Sequence, residues 1–289
     1  MPDLRYEAPE TVDAAVALLA GESGDARVLA GGTDVLVQLH ADMIEPDLIV
    51  DIKKIPEVTG IVQENGGWRV GAATKGMEIC GHPEFAAAWP GVIDGVKLIG
   101  SIQVKGRASI GGNLCNASPG ADSVPAIIVS RAIARIVGPG GSREIPVEDV
   151  AIAPGKTSLE KGEIITSFFF PERPPHSGGA YLRFTPRTEM DIAVVGVGVD
   201  LTLDDGGTCT DARVSLGAVA PRALVVDEAA QALIGTKVDD AALEKLAAAA
   251  SAACRPINDK RGTVEFRTKV AGVLARRTAL IALERARQN

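Results

Sequence analysis

Two stretches far apart in the chain, Ala30-Gly31-Gly32-Thr33-Asp34 and Ala108-Ser109-Ile110-Gly111-Gly112-Asn113, combine adjacent glycines with short hydroxyl, amide and carboxyl side chains. Consecutive backbone N–H groups without a bulky Cβ form concavities that accept phosphate oxygens. The chemistry indicated is therefore recognition of a phosphorylated cofactor rather than attack on a substrate. Asn116, Ser118 and Asp122 extend the second run, and such a string of small polar groups suits a dinucleotide, with its pyrophosphate, sugar hydroxyls and polar ring edge. A single glycine pair is more often a tight strand-to-helix turn. It is the presence of two, each read here as following a short apolar strand, that points to one shared ligand.

Other chemistries fit less well. Gly155-Lys156-Thr157 resembles the end of a phosphate-binding P-loop, but position 150 is Val where Gly-x-x-x-x-Gly-Lys-Thr requires glycine. No Gly-x-Gly-x-x-Gly follows a strand, which argues against a Rossmann domain. His40, His82 and His176 are isolated, and Cys80, Cys115, Cys209 and Cys254 form no Cys-x-x-Cys pair. Neither a metal site nor a disulfide framework is expected. The formal net charge of −7 speaks against a nucleic-acid partner. At 46% hydrophobic and 23% charged residues, with no apolar run long enough for a membrane span, the composition is that of a soluble globular protein. The first ten residues carry charges and prolines in place of a secretory pattern, so a reduced, cytoplasmic protein is the expectation.

The elements that must position the two loops follow from periodicity. Thr11 is expected to cap a helix with Val12, Ala15, Val16 and Leu19 on one face and Gly21 as its stop. A strand over 27–30 leads into the first loop, a helix-compatible 36–39 leads out, and a strand spans 48–52. Asn65-Gly66 predicts a hairpin. Thr74 is a candidate N-cap for helical material reaching Lys105, interrupted by Pro83 and Pro90. Asp122 starts a further helix, with Pro125 in its first turn. Strands are expected at 135–137, 144–145 and 164–170. Residues 171–179, rich in proline and glycine, read as a linker. Strands 192–203 and 212–219 flank Asp205-Gly206-Gly207, and helices are expected at 228–234, 240–253 and 262–287. The division is 1–175, in two parts of about 1–55 and 56–175, and 176–289.

Both loops sit within a longer pattern that resembles the flavin-binding medium subunit of the molybdenum hydroxylases, the family of xanthine dehydrogenase and carbon monoxide dehydrogenase. The resemblance is carried by the first loop, by Gln103-Val104-Lys105 leading into the second, and by Ala117-Ser118-Pro119 with Asp122. It continues through Pro154-Gly155-Lys156-Thr157, Tyr181-x-Arg183, Arg187 with Met190-Asp191-Ile192-Ala193, and Gly262-Thr263-Val264-Glu265-Phe266-Arg267. These elements keep family order across almost the whole chain. The wording from Leu29 to His40 looks closest to bacterial xanthine dehydrogenase flavin subunits.

The resemblance implies an α+β fold, a vanillyl-alcohol-oxidase/PCMH-like FAD-binding domain of two α/β subdomains followed by a C-terminal domain with a small antiparallel sheet and helices. It implies FAD as cofactor, with Leu29, Ala30, Gly31, Gly32, Thr33, Asp34, Ser109, Gly111, Gly112 and Asn113 at the phosphates and nearby sugar. Asp122 matches an acidic FAD contact and Ile165 a backbone contact near the flavin. Arg183 stands where relatives often have Lys, which keeps the charge and changes the donor geometry. Ile99, Ser118 and Tyr181 are further pocket candidates, with core packing the alternative for Ile99 and Tyr181. No catalytic base and no protein metal ligand are required. The implied partners are a molybdopterin-binding large subunit and a small subunit with [2Fe-2S] clusters, in a dimer of heterotrimers with NAD as acceptor. The rival readings are a related carbon monoxide, aldehyde or aromatic-heterocycle dehydrogenase subunit, a free-standing flavoprotein, and a scaffold that has lost FAD. The cysteine-rich insertion of some benzoyl-CoA-reducing relatives is absent.

Overall fold

A computed structural model describes residues 4–188 and 190–289 of the chain. Its N-terminal unit is a three-stranded parallel sheet in the order Arg5–Glu7, Leu48–Asp51, Ala26–Leu29. Parallel strands need crossovers, and helices Val12–Gly21 and Val35–His40 supply them. Thr11 caps the first as expected, its hydroxyl accepting from the Ala14 N–H at 3.2 Å, and Ala15, Val16 and Leu19 are buried. The strand Arg5–Glu7 was not legible, because all three of its residues are exposed.

The second sheet has five antiparallel strands in the order Ile61–Glu64, Gly67–Gly71, Ile164–Phe170, Ile133–Gly138, Gly141–Pro146. Asn65 and Gly66, at φ 50° and 77°, close the predicted hairpin in the left-handed region its turn requires. The stretch between this sheet's second strand and the second loop forms four short helices, Gly76–Gly81, Pro83–Ala88, Pro90–Lys97 and Ile102–Lys105, two of them opening on proline. Thr74 is not a cap: Lys75 precedes the helix, and the buried Thr74 hydroxyl donates to the Gly60 carbonyl at 3.1 Å. The second glycine loop likewise follows a helix, not a strand. Ser109 is the N-cap of helix Ile110–Cys115, so the glycines form its first turn.

The third sheet runs Ser177–Phe184, Val195–Leu203, Cys209–Gly217, Leu224–Val225, all antiparallel, with the helices Asp240–Ala253 and Val264–Gln288 packed on it. One apolar cluster joins this sheet to those helices, while two others fill the N-terminal and five-stranded units. The proposed linker is only partly irregular. Ser177, Gly178 and Gly179 are buried strand residues, and Arg173 is fixed by Ser177, the Ala88 carbonyl and Asp200 while lying over the Trp89 ring. Gly155-Lys156-Thr157 belongs to a small hairpin, Ala151–Ala153 with Lys156–Thr157, which accounts for its glycine at φ 68°. No described helix is long and apolar enough to cross a membrane.

Candidate functional site

The first glycine loop leaves strand Ala26–Leu29, and the second opens helix Ile110–Cys115; the two meet back to back. A Cβ on Gly31 would lie 2.2 Å from the Arg107 carbonyl oxygen, and one on Gly111 2.5 Å from that of Ala72. Both positions are closed to any side chain by main chain: glycine at 31 lets the first loop rest on the start of the second, and glycine at 111 lets the second rest on Ala72. Gly32 has a different reason: its φ of 77° lies in the left-handed region. Arg107 adds a cross-loop bond, its Nε donating to the Gly31 carbonyl at 3.2 Å, and so sets a cation behind the first loop.

The contact forms one wall of a cavity of about 300 Å³. Of the predicted residues, Ala30, Gly31, Gly32, Thr33, Asp34, Ile99, Ser109, Gly111, Gly112, Asn113 and Ile165 line it. Two loops distant in sequence are thus brought to one site. Leu29, Ser118, Asp122, Tyr181 and Arg183 do not line it. Leu29 is buried beneath the first loop, with a methyl 3.0 Å from where a Gly32 Cβ would stand. Ser118 turns back on its own segment, accepting from the Gly120 N–H.

The remaining three form a buried cluster of their own. Tyr181 Oη donates to Asp122 Oδ1 at 2.9 Å, and Arg183 donates to Asp122 Oδ2 and to the carbonyls of Leu98 and Asp191. Burial pushes the Asp122 carboxyl up to about 6, against the opposing pull of Arg183 and Tyr181. Burial also raises Tyr181 well above the ordinary phenol range, with the Asp122 charge adding to the effect. Both carboxylate oxygens of Asp122 are therefore committed within the protein.

The donors toward the cavity divide unequally between the loops. Among the described residues, the N–H groups of Gly31, Gly32, Thr33 and Asp34 have no internal acceptor. In the second loop the N–H of Gly111 donates to the Ala72 carbonyl, that of Gly112 to Ser109 Oγ and that of Asn113 to the Ser109 carbonyl. Four successive free donors suit an anionic group such as a diphosphate, because unpaired main-chain N–H groups at a protein surface seek an acceptor. The second loop offers side chains instead, chiefly the Asn113 amide. The residues present thus fit the dinucleotide inferred from the sequence, with the first loop carrying most of the amide cradle.

Three residues tie the loops across the cavity floor. Gln38 Nε2 donates to Asn116 Oδ1 at 3.4 Å, and Asn116 Nδ2 donates to Asp34 Oδ1 at 3.2 Å. Asp34 is exposed as a whole, yet the cavity walls around its carboxyl raise its pKa through desolvation. Gln38 follows Asp34 by four positions, a helical spacing that could have marked it in the sequence. The far wall, with Leu159, Glu163 and Ile164, comes from the stretch leading into strand Ile164–Phe170 and had no local signal. Glu163 is held there by Arg143 through two bonds of 2.7 Å, which lower its carboxyl pKa. Cys115 also lines the cavity, with burial pushing its thiol up to about 12, so it remains an inert SH group.

Comparison with known proteins shows the family to which the chain belongs. A family profile described as "FAD binding domain in molybdopterin dehydrogenase" matches residues 2–173, and one described as "CO dehydrogenase flavoprotein C-terminal domain" matches residues 180–282. The chain is 35% identical over 283 residues to the carbon monoxide dehydrogenase medium chain of Afipia carboxidovorans, covering 98% of this chain and 96% of that one. It is 33% identical to a putative xanthine dehydrogenase FAD-binding subunit of Escherichia coli, covering 91% and 90% respectively. A crystal structure of Cu,Mo-CO dehydrogenase contains a chain that matches with a TM-score of 0.93 at 34% identity, over 98% of each chain. A chain of quinoline 2-oxidoreductase from Pseudomonas putida 86 matches with a TM-score of 0.91 at 27% identity, over 99% of this chain and 98% of that one. The chain therefore belongs to the family of FAD-binding medium subunits of the molybdenum hydroxylases, and it is a flavoprotein oxidoreductase subunit.

Proposed function

We propose that this chain is the electron-exit subunit of a heterotrimeric, xanthine dehydrogenase-like molybdenum hydroxylase, working with NAD as acceptor in a cytoplasmic dimer of heterotrimers. The observation that carries the reading is the convergence of two sequence-distant glycine loops on one cavity whose rim holds four acceptor-free N–H groups. FAD, when bound, supplies the exchange between single electrons arriving from iron-sulfur clusters on a partner chain and the electron pair leaving for the acceptor. The chain's own residues bind and orient. The Gly31–Asp34 amides would hold the diphosphate, Asn113 and Ser109 would stand beside its polar groups, and Ile99 and Ile165 would give apolar walls. No side chain in the cavity is needed as a general base, and the hydroxylated substrate belongs to another subunit.

Support for the xanthine-dehydrogenase-like branch comes from the first loop and its helix, Leu29 to His40, and from the Escherichia coli relative, whose 33% identity stands beside the 35% of the carbon monoxide dehydrogenase chain. Four free thiols among the described residues accord with a reducing compartment. The test is native purification followed by flavin, molybdenum and iron analysis and by xanthine-dependent NAD reduction. Co-purification with a molybdenum chain and an iron-sulfur chain, with one FAD released per copy of this chain, is expected. A colourless chain overturns the flavin reading. A flavin-loaded complex that oxidises xanthine with dyes but never with NAD overturns the acceptor.

A further inference from the structure

One residue that touches nothing in the cavity fixes how the cavity wall presents its polar groups. Ser123 is fully buried as the first residue of helix Ser123–Val129. Its N–H donates to Asn113 Oδ1 at 3.3 Å, and its hydroxyl donates to the same oxygen at 2.7 Å. A backbone N–H can only donate, so the atom facing it must be the amide oxygen. The Asn113 amide nitrogen is thereby left as the free donor, and among the described residues it has no acceptor of its own, while Asn113 lines the cavity.

The arrangement has a local cause. The first N–H groups of a helix lack intrahelical acceptors, and the residue before the helix ordinarily supplies one through its side chain. That residue is Asp122, which makes no such capping bond: the second helical N–H, of Val124, donates to the Ala121 carbonyl, and the third residue is Pro125, which has no N–H. The remaining first-turn N–H, that of Ser123, is taken by Asn113 from a different helix.

We infer that Ser123 is a positioning residue for the cofactor: it locks the Asn113 amide in the orientation that offers an N–H donor to an acceptor atom of the bound flavin dinucleotide. This rests on the reading of the cavity as the FAD site. Without the Ser123 hydroxyl, the Asn113 side chain loses its shorter anchor and populates other rotamers, so the donor must be ordered again each time the cofactor binds.

A double-mutant cycle on the full chain, stripped of flavin and titrated with FAD by quenching of flavin fluorescence, tests it. Ser123→Ala and Asn113→Ala are each expected to raise the Kd about five- to tenfold. The double variant should bind as Asn113→Ala alone does, because Ser123 acts only through Asn113. Ser123→Cys, which keeps the volume but offers a weak donor, repeats the measurement if Ser123→Ala does not fold. An unchanged Kd in the Ser123 variants overturns the inference, as does a Ser123→Ala effect that persists in full when Asn113 is already Ala, since that is the mark of a merely structural role. A wild-type chain that takes up no FAD at all overturns the functional reading itself, a result distinct from either.

Discussion

Gly31 and Gly32 of the first loop are required for different reasons, and the reasons separate experimentally. Gly31→Ala drives a methyl group into the Arg107 carbonyl, 2.2 Å away. Forcing the loops apart should destabilise the chain by about 1–3 kcal/mol and sharply lower the flavin-to-protein absorbance ratio of purified material. Normal flavin occupancy in that variant would count against the loop assignment. Gly32→Val fails by another route, since a β-branched residue at φ 77° is strained before any ligand arrives. The type and place of these glycines were legible in the sequence. What was not legible is that the space beside Gly31 and Gly111 is filled by the main chain of Arg107 and of Ala72, because contact between segments distant in sequence leaves no local trace.

The Asp122 carboxyl is also a residue-scale matter. Its folded pKa of about 6 stands above the ordinary 3.8, so the folded state binds the proton more tightly. The stability it contributes is therefore present below about pH 4 and lost as pH rises through about 6. Asp200, pushed up to about 7 by burial, adds to the same slope. Thermal midpoints measured between about pH 4 and pH 7 should fall with rising pH in the wild type and more gently in Asp122→Asn; parallel curves would refute the assignment.

At the scale of elements, helix Val264–Gln288 serves as more than a lid on its sheet. Its buried Arg267 donates to the carbonyls of Val194 and Ala218 and pairs with Asp259, holding the start of one strand, the end of another and the preceding loop at once. Arg267→Met takes the guanidinium from those carbonyls and leaves Asp259 only the Arg261 and Gly262 N–H groups, and it should lower unfolding stability by about 2–4 kcal/mol, read from denaturant midpoints. A loss below about 0.5 kcal/mol would show that solvent replaces the guanidinium. Long periodic elements of this kind were well marked in the sequence. The short ones were not: the second glycine loop was read as following a strand because a four-residue helix, Ile102–Lys105, carries too few positions to show a period. The expected linker over 171–179 departs from the structure only at its end, for the opposite reason. Ser177-Gly178-Gly179 has loop composition, yet a Gly178 Cβ would stand 2.0 Å from the Ala282 carbonyl, so glycine there lets the long helix lie directly on the strand.

For the whole molecule, the first loop belongs to the parallel sheet and the second to the helices packed on the five-stranded sheet, so the cofactor is expected to brace both units. A ligand that binds only the folded form adds about 4 kcal/mol at a thousandfold excess over its Kd. Calorimetry of the flavin-free chain should accordingly show the midpoint climbing with the logarithm of added FAD; a midpoint indifferent to FAD would place the flavin elsewhere. The abutment of Gly31 on the Arg107 carbonyl bears on this in a further way. Because two backbones rest on one another there, the outline of the receptacle is set by contact within the polypeptide, and the conformational search needed to assemble it belongs to chain maturation rather than to ligand capture. Flavin stripped under mild conditions should consequently return on mixing, at a pace set by diffusion and local fitting instead of by slow reconstruction of the polypeptide.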